Sequence, residues 1–229
     1  MPIATCIFDA YGTLFDVTAA AREAATEPEC AALAGRWPEL AENWRRKQLE
    51  YSWLRAITGE HKDFWEVTGD GLDWALEAHG LAADTALRAR LMALYRELSA
   101  FPEVPGVLAR LKAAGLTTAI LSNGAPGMLA GAVASAGIGH LLDDVLSVEE
   151  VGIFKPAPQV YELVTTRFSC PREAVLFVSS NGWDVAGAAG FGFFTAWVNR
   201  TGAPRDRLGH PPHEVLPDLT AIPDIAQVI

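Results

Sequence analysis

A chain of 229 residues is long enough to bury a substantial core, as one large domain or as a core with an insert. Half of it is apolar and a fifth is charged, the balance of an ordinary soluble globular enzyme. The net charge of −10 excludes a dedicated nucleic-acid binder, which needs concentrated basic surface, but not a small anion held by a local cluster of donors.

The first predicted strand, residues 4–8, is an apolar run that ends at Asp9. A lone carboxylate at the end of such a strand stands where open α/β sheets place their chemistry. Residues 16–98 are almost wholly helical in pattern, with Trp44, Tyr51, Trp65 and Trp74 at helix-compatible spacing. After Phe101-Pro102-Glu103-Val104-Pro105-Gly106 the pattern alternates. A helix over 107–114, closed by Gly115, leads to a strand over 117–121 that ends in Ser122-Asn123-Gly124. Helices over 128–136 and 159–168 accompany short apolar runs at 145–148, 175–178 and 193–198, suited to a parallel sheet. The tail from about residue 201 is rich in Pro and Gly and finishes in a short helix near 222–228.

This alternation predicts an α/β fold, a doubly wound parallel sheet with a helical domain inserted after the first strand. Residues 1–15 and 99–229 would form the core and residues 16–98 a cap able to close over Asp9. The three cysteines, Cys6, Cys30 and Cys170, are odd in number and scattered, with no CxxC spacing, which suits a reduced cytoplasmic setting. No apolar stretch reaches membrane-spanning length. The N-terminus leads straight into a strand without a basic region or cleavage site, so neither membrane nor export is expected.

Asp9 could be a structural carboxylate, but Asp-x-x-Gly-Thr-Leu-Phe after an apolar run is a specific arrangement. An ionised carboxylate can attack carbon without help from a base. Thr13 could orient it through its hydroxyl, although Thr is common in turns for local reasons. Ser122 and Asn123 could hold an anion with help from backbone N–H groups; the plainer reading is a helix cap. Lys155, between Phe154 and Pro156, is fixed in a rigid turn where most lysines are solvated. Tyr161 could reach the same pocket or simply pack in the core. Ser179-Ser180-Asn181-Gly182-Trp183-Asp184 follows another strand and offers hydroxyl, amide and carboxylate together. The run Trp44 to Arg55 is basic and interleaved with aromatics, so part of it should point inward rather than form only a solvated face.

The loop beginning at Asp9 resembles that of the haloacid dehalogenase superfamily, whose nucleophilic Asp opens it. Phosphatases of that superfamily carry a second Asp two residues later to protonate the leaving group. Here Tyr11 takes that place, which points to a leaving group that needs no proton. Superfamily phosphatases also usually have an acidic residue near the start of the last loop to help hold Mg²⁺, where this chain has Ser and Asn. No metal or other cofactor is therefore expected.

Residues 8–17, 44–56, 122–126, 154–156 and 177–184 together resemble the L-2-haloacid dehalogenases. The resemblance implies hydrolysis of small 2-haloalkanoates to 2-hydroxy acids and halide ion, through an ester on Asp9. It implies halide contacts from Arg45, Asn123 and Trp183, and substrate-carboxylate contacts from Ser122 and backbone amides near Tyr11. Tyr11, Leu49 and Phe64 would wall the alkyl group, and Ser179, Asn181 and Asp184 would surround the hydrolytic water. Lys155 would steady the nucleophile, and relatives are commonly homodimers. Arg46 departs from the glutamine usual in the family and leaves pocket polarity open.

Rival readings are a phosphatase, a phosphonate hydrolase with Lys47 or Lys62 as its Schiff-base amine, a ring-opening hydrolase using the same ester, and a binding protein on an inactivated fold. His210 and His213 are weak metal candidates, Asn199-Arg200-Thr201 a weak glycosylation match, and Glu149-Glu150 is expected in a solvated loop.

Overall fold

The structure, a computed structural model, describes residues 2–228. Thr5–Phe8 forms β1 and is buried throughout, as a strand covered on both faces must be. Four helices follow it: Val17–Ala24 (α1), Trp37–Thr58 (α2), Phe64–Ala78 (α3) and Thr85–Leu94 (α4). They form the helical cap. Buried polar groups lock α2 to α3: Trp44 Nε1 donates to the Thr68 carbonyl at 2.8 Å and Gln48 Nε2 to Thr68 Oγ1 at 2.7 Å. Gly71 allows this closeness, since a Cβ there would stand 3.1 Å from the Gln48 backbone nitrogen.

The chain then runs through Val104–Ala113 (α5), Thr117–Ser122 (β2), Pro126–Ala136 (α6), Asp144–Ser147 (β3) and Pro158–Phe168 (α7). Val175–Ser179 (β4), Gly182–Phe191 (α8), Phe194–Val198 (β5), Glu214–Leu216 (β6) and Ile222–Val228 (α9) complete it. The six strands lie in the order β3-β2-β1-β4-β5-β6, all parallel. Phe8 is level with Ile120 on one side and Val178 on the other. The loops after β1, β2 and β4 therefore open on one sheet edge, beside the point where strand order reverses.

Three predicted helices start earlier than expected. Each of α5, α6 and α7 has a proline in its first turn, where a missing N–H costs nothing and the ring sets φ for the helix. The tail holds a strand that was not predicted: β6 pairs with β5, Glu214 opposite Ala196. Its three residues are too few to show a period. Residue 148, expected at the end of the third strand, belongs instead to a 3₁₀ turn, Val148–Glu150.

The two chain segments joining cap and core pair with each other. Asp16 N donates to the Ser99 carbonyl at 3.1 Å and Phe101 N to the Leu14 carbonyl at 2.9 Å, around an antiparallel Phe15–Ala100 bridge.

Candidate active site

Asp9 is buried at the end of β1, where its backbone N–H donates to the Val178 carbonyl at 2.9 Å. The chain turns at Gly12, φ +83°, and brings Thr13 back over the carboxylate. Thr13 Oγ1 donates to Asp9 Oδ2 at 3.0 Å and accepts from Ser180 N at 2.8 Å. Asn181 Nδ2 donates to the same oxygen at 3.1 Å, and Lys155 Nζ to Oδ1 at 3.2 Å. Donors from three loops thus fix the carboxylate plane.

Lys155, 1 % exposed, also donates to Asp184 Oδ2 at 2.9 Å. Its backbone N–H donates to Asn123 Oδ1 at 3.0 Å, tying the lysine loop to the loop after β2. Burial pulls the ammonium pKa down, but the Asp184 and Asp9 carboxylates outweigh it and hold it above the usual lysine range. Burial pushes the Asp184 carboxyl up, with Lys155 opposing and Asp9 adding to the rise. Tyr161 donates to Asp184 Oδ1 at 2.8 Å. Its hydroxyl pKa lies well above the ordinary phenol value, through burial first and the Asp184 charge second, so it remains a donor.

The lysine ammonium lies between the two carboxylates and is bonded to both. Among the described residues no group of three or more His, Cys, Asp or Glu could hold a metal ion.

Above Asp9 lies a cavity of about 40 Å³ between core and cap. Asp9, Tyr11, Ser122, Asn123, Lys155, Asn181 and Trp183 line it from the core, and Arg45, Leu49 and Phe64 from the cap. All were expected at the site. Arg45 Nη2 donates to Asn181 Oδ1 at 2.6 Å, and Trp53 meets Trp183 edge-on at 5.4 Å, so the cap rests directly on the last loop. Asn123 spends its carbonyl oxygen on Lys155, which leaves its NH₂ group for other partners. Ser122 Oγ accepts from Gly124 N at 3.0 Å and still has a proton to donate. The Tyr11 ring stacks on Phe64 at 6.2 Å, as an apolar wall should, but its hydroxyl is buried without a hydrogen-bond partner.

Thr13, Tyr161, Ser179 and Asp184 stand behind this lining rather than in it. Ser179, expected beside the hydrolytic water, accepts from Asn181 N at 3.1 Å and so braces that loop from below. Sequence reasoning missed Val17, Gln48 and Tyr95, which complete the wall. Gln48 was recoverable, because it lies three residues from Arg45 on the same helix face. Val17 and Tyr95 carry no sequence signal.

Of the basic run on α2, only Arg45 points into the cavity. Arg46, its side chain half exposed, pairs with Glu50 at 3.7 Å and lies over Trp74, so its departure from the family pattern leaves the cavity wall untouched. Lys47 bridges to Glu50 and Lys62 to Asp70, and neither lines the cavity, which deprives a phosphonate hydrolase of its amine. His213 Nδ1 accepts from Thr195 N while its ring stacks on Phe194, a structural role. Asn199 bonds both ways with the Ala203 backbone. Glu149 is not solvated as expected: its carboxylate reaches the cap at His61 and Phe64. A larger hollow of about 670 Å³ lies in the cap near Trp65, Arg88 and Arg96 and includes none of the predicted site residues.

A family model described as haloacid dehalogenase-like hydrolase matches residues 3–192. The chain is 45% identical over 224 residues to (S)-2-haloacid dehalogenase 1 of Pseudomonas sp. (strain CBS-3), covering 98% of this chain and 96% of that one. It is 43% identical over 199 residues to (S)-2-haloacid dehalogenase 4A of Burkholderia cepacia, covering 87% and 84%. Among solved structures it resembles the L-2-haloacid dehalogenase of Xanthobacter autotrophicus with chloropropionic acid covalently bound, with a TM-score of 0.90 at 39% identity and 99% of each chain covered.

Proposed function

The chain belongs to the haloacid dehalogenase-like hydrolase family, and on that footing we propose that it is a hydrolytic dehalogenase of short L-2-haloalkanoic acids. Asp9 attacks C2 from the face opposite the halogen. The carbon–halogen bond breaks, halide departs with the bonding pair, and an aspartyl ester remains. Water then attacks the ester carbonyl and releases the D-2-hydroxy acid. Configuration inverts once, because the second step never touches C2.

One observation carries this reading. Asp9 is oriented by Thr13, Asn181 and Lys155 beneath a small cavity whose far wall presents the Arg45 guanidinium. Tyr11 stands two residues after Asp9, where a phosphatase of the superfamily would carry its acid. A guanidinium, the Asn123 NH₂ and the Trp183 edge are all positive partners for a departing halide. Ser122 and backbone amides near Tyr11 take the substrate carboxylate, and Leu49, Phe64 and the Tyr11 ring wall the alkyl group. Asn181 and Asp184 serve the hydrolytic water, with Ser179 bracing that loop. Holding nucleophile and carbon in line supplies about 7–11 kcal/mol of barrier reduction in well-oriented systems.

The proposed division at residues 15/16 and 98/99 is supported by the paired tethers around Phe15 and Ala100. A cytoplasmic homodimer completes the proposal, supported by the exposed Leu54 and Ile57, which lie one turn apart on α2. Size-exclusion chromatography with light scattering tests the dimer.

The deciding assay is halide release from separate L- and D-2-chloropropionate, with and without EDTA. Release from the L form alone, indifferent to EDTA, is expected. Phosphate release dependent on Mg²⁺, with no halide, would sink the reading.

A further inference from the structure

Glu149 belongs to the core, in the 3₁₀ turn after β3, yet both of its carboxylate oxygens are spent on the cap. Oε1 accepts from the backbone N–H of Phe64 at 3.1 Å, and Oε2 accepts from His61 Nε2 at 2.9 Å. Phe64 is the first residue of α3 and lines the cavity above Asp9. The N–H groups of a helix's first turn lack partners within the helix and favour a negative charge. Asp63 satisfies one of them from within the cap by accepting from Glu66 N at 2.9 Å. Glu149 satisfies another from the opposite domain.

We propose that Glu149 is a positioning residue that sets where Phe64 stands over the substrate, and so determines which alkyl groups the site accepts. The inference rests on the dehalogenase reading above and deepens it.

Two further contacts make the bridge rigid. The His61 ring lies 4.8 Å from Phe154, the residue before Lys155, and Phe64 lies 5.9 Å from the same ring. Because a carboxylate only accepts, His61 gives Glu149 its Nε2 proton. Its buried Nδ1 has no hydrogen-bond partner. On the core side, Glu149 N donates to Ser147 Oγ at 3.2 Å, and that hydroxyl donates to the Gly124 carbonyl at 2.7 Å. The path thus runs from the Ser122-Asn123-Gly124 loop, through Ser147 and Glu149, to the wall residue Phe64. The loop proposed to hold the substrate carboxylate and the ring proposed to bound its alkyl group share one hydrogen-bonded strut.

Two measurements on Glu149→Ala and Glu149→Gln test the proposal, with the whole chain in each case. The first is hydrogen exchange across residues 61–66, which does not depend on any activity. Glu149→Ala is expected to lose protection there at least tenfold, while Glu149→Gln, which keeps an oxygen for Phe64 N, recovers most of it. The second is the ratio of kcat/KM for L-2-chloropropionate to that for a longer L-2-chloroalkanoate. This ratio should shift at least threefold in Glu149→Ala and return toward wild type in Glu149→Gln, with KM moving more than kcat. Unchanged exchange, or lost protection with an unchanged ratio, overturns the proposal. If Glu149→Ala does not fold, Glu149→Met, which keeps the side chain's length but offers Phe64 N no oxygen, is read by the same two measurements and the same thresholds. Should the wild-type chain release no halide, the dehalogenase reading fails by itself, and the exchange arm still decides whether Glu149 holds Phe64.

Discussion

Arg45 of the cap donates to Asn181 of the core at 2.6 Å, and Asn181 donates in turn to Asp9 at 3.1 Å. The residue proposed to receive the halide is therefore one side chain away from the nucleophile that expels it. An approaching halogen competes with Asn181 for the guanidinium, so the positive charge is already aimed where negative charge will develop.

Arg45→Ala should accordingly lower kcat by about 10²–10³, the usual cost of removing one such donor, with a smaller effect on KM. Arg45→Lys should recover little, because an ammonium lacks the planar fork that can face Asn181 and halide together. Steady-state kinetics with L-2-chloropropionate decide it. A change confined to KM would reassign Arg45 to the substrate carboxylate.

Asp9→Asn should abolish turnover and leave circular dichroism unchanged, since an amide has the shape of the carboxylate and its one oxygen can still accept from Lys155. A single turnover of the native enzyme in ¹⁸O-water should leave label in the Asp9 peptide, because water enters at the ester carbonyl. Label found only in the hydroxy acid would mean direct attack by water on C2.

Stability should fall on the alkaline side. Tyr161 and Lys155 both have pKa values raised above their ordinary values of 10.0 and 10.5. Above about pH 10 the unfolded chain releases protons that the folded chain retains, so unfolding is favoured as pH rises. Each such proton contributes a slope of about 1.4 kcal/mol per pH unit. Tyr161→Phe removes one of them and should flatten the slope in urea melts taken between pH 9 and 11. An unchanged slope would contradict the burial of that hydroxyl against Asp184.

Tyr11 and Gly124 should respond in opposite senses. The unpartnered Tyr11 hydroxyl carries a desolvation cost of about 1–3 kcal/mol, so Tyr11→Phe should raise the melting temperature of the free protein. In Gly124→Ala the new Cβ would meet Tyr11 Cε2 at 2.8 Å and its hydroxyl oxygen at 2.9 Å, forcing the ring out of place. That variant should lose both melting temperature and activity. A silent Gly124→Ala would show that the ring shifts freely.

The parts of this protein that were legible in its sequence are those enforced by burial. β1, β2, β4 and β5 are nearly continuous apolar runs because both sheet faces are covered, and Asp9 is conspicuous as the charge that ends one of them. Lys155 was readable from its rigid turn. Glu149 was not, because an acidic pair in a turn looks the same whether water or a helix start receives it. Val17 and Tyr95 reach the cavity only through the way the cap folds back on the core. β6 was hidden because a short edge strand needs only backbone pairing, which any sequence can supply.

The cap leaves and rejoins the core through segments bonded to each other at Phe15 and Ala100, in the loop that begins at Asp9. Any swing of the four helices must therefore pivot beside the nucleophile. Near the pivot, displacement is small and Asp9 keeps its surroundings. Where Arg45 meets Asn181 and Phe64 meets Glu149, the same rotation would part cap from core. Thr13, Lys155 and Asn181, which hold the Asp9 carboxylate, all belong to the core, so its alignment does not depend on where the cap stands.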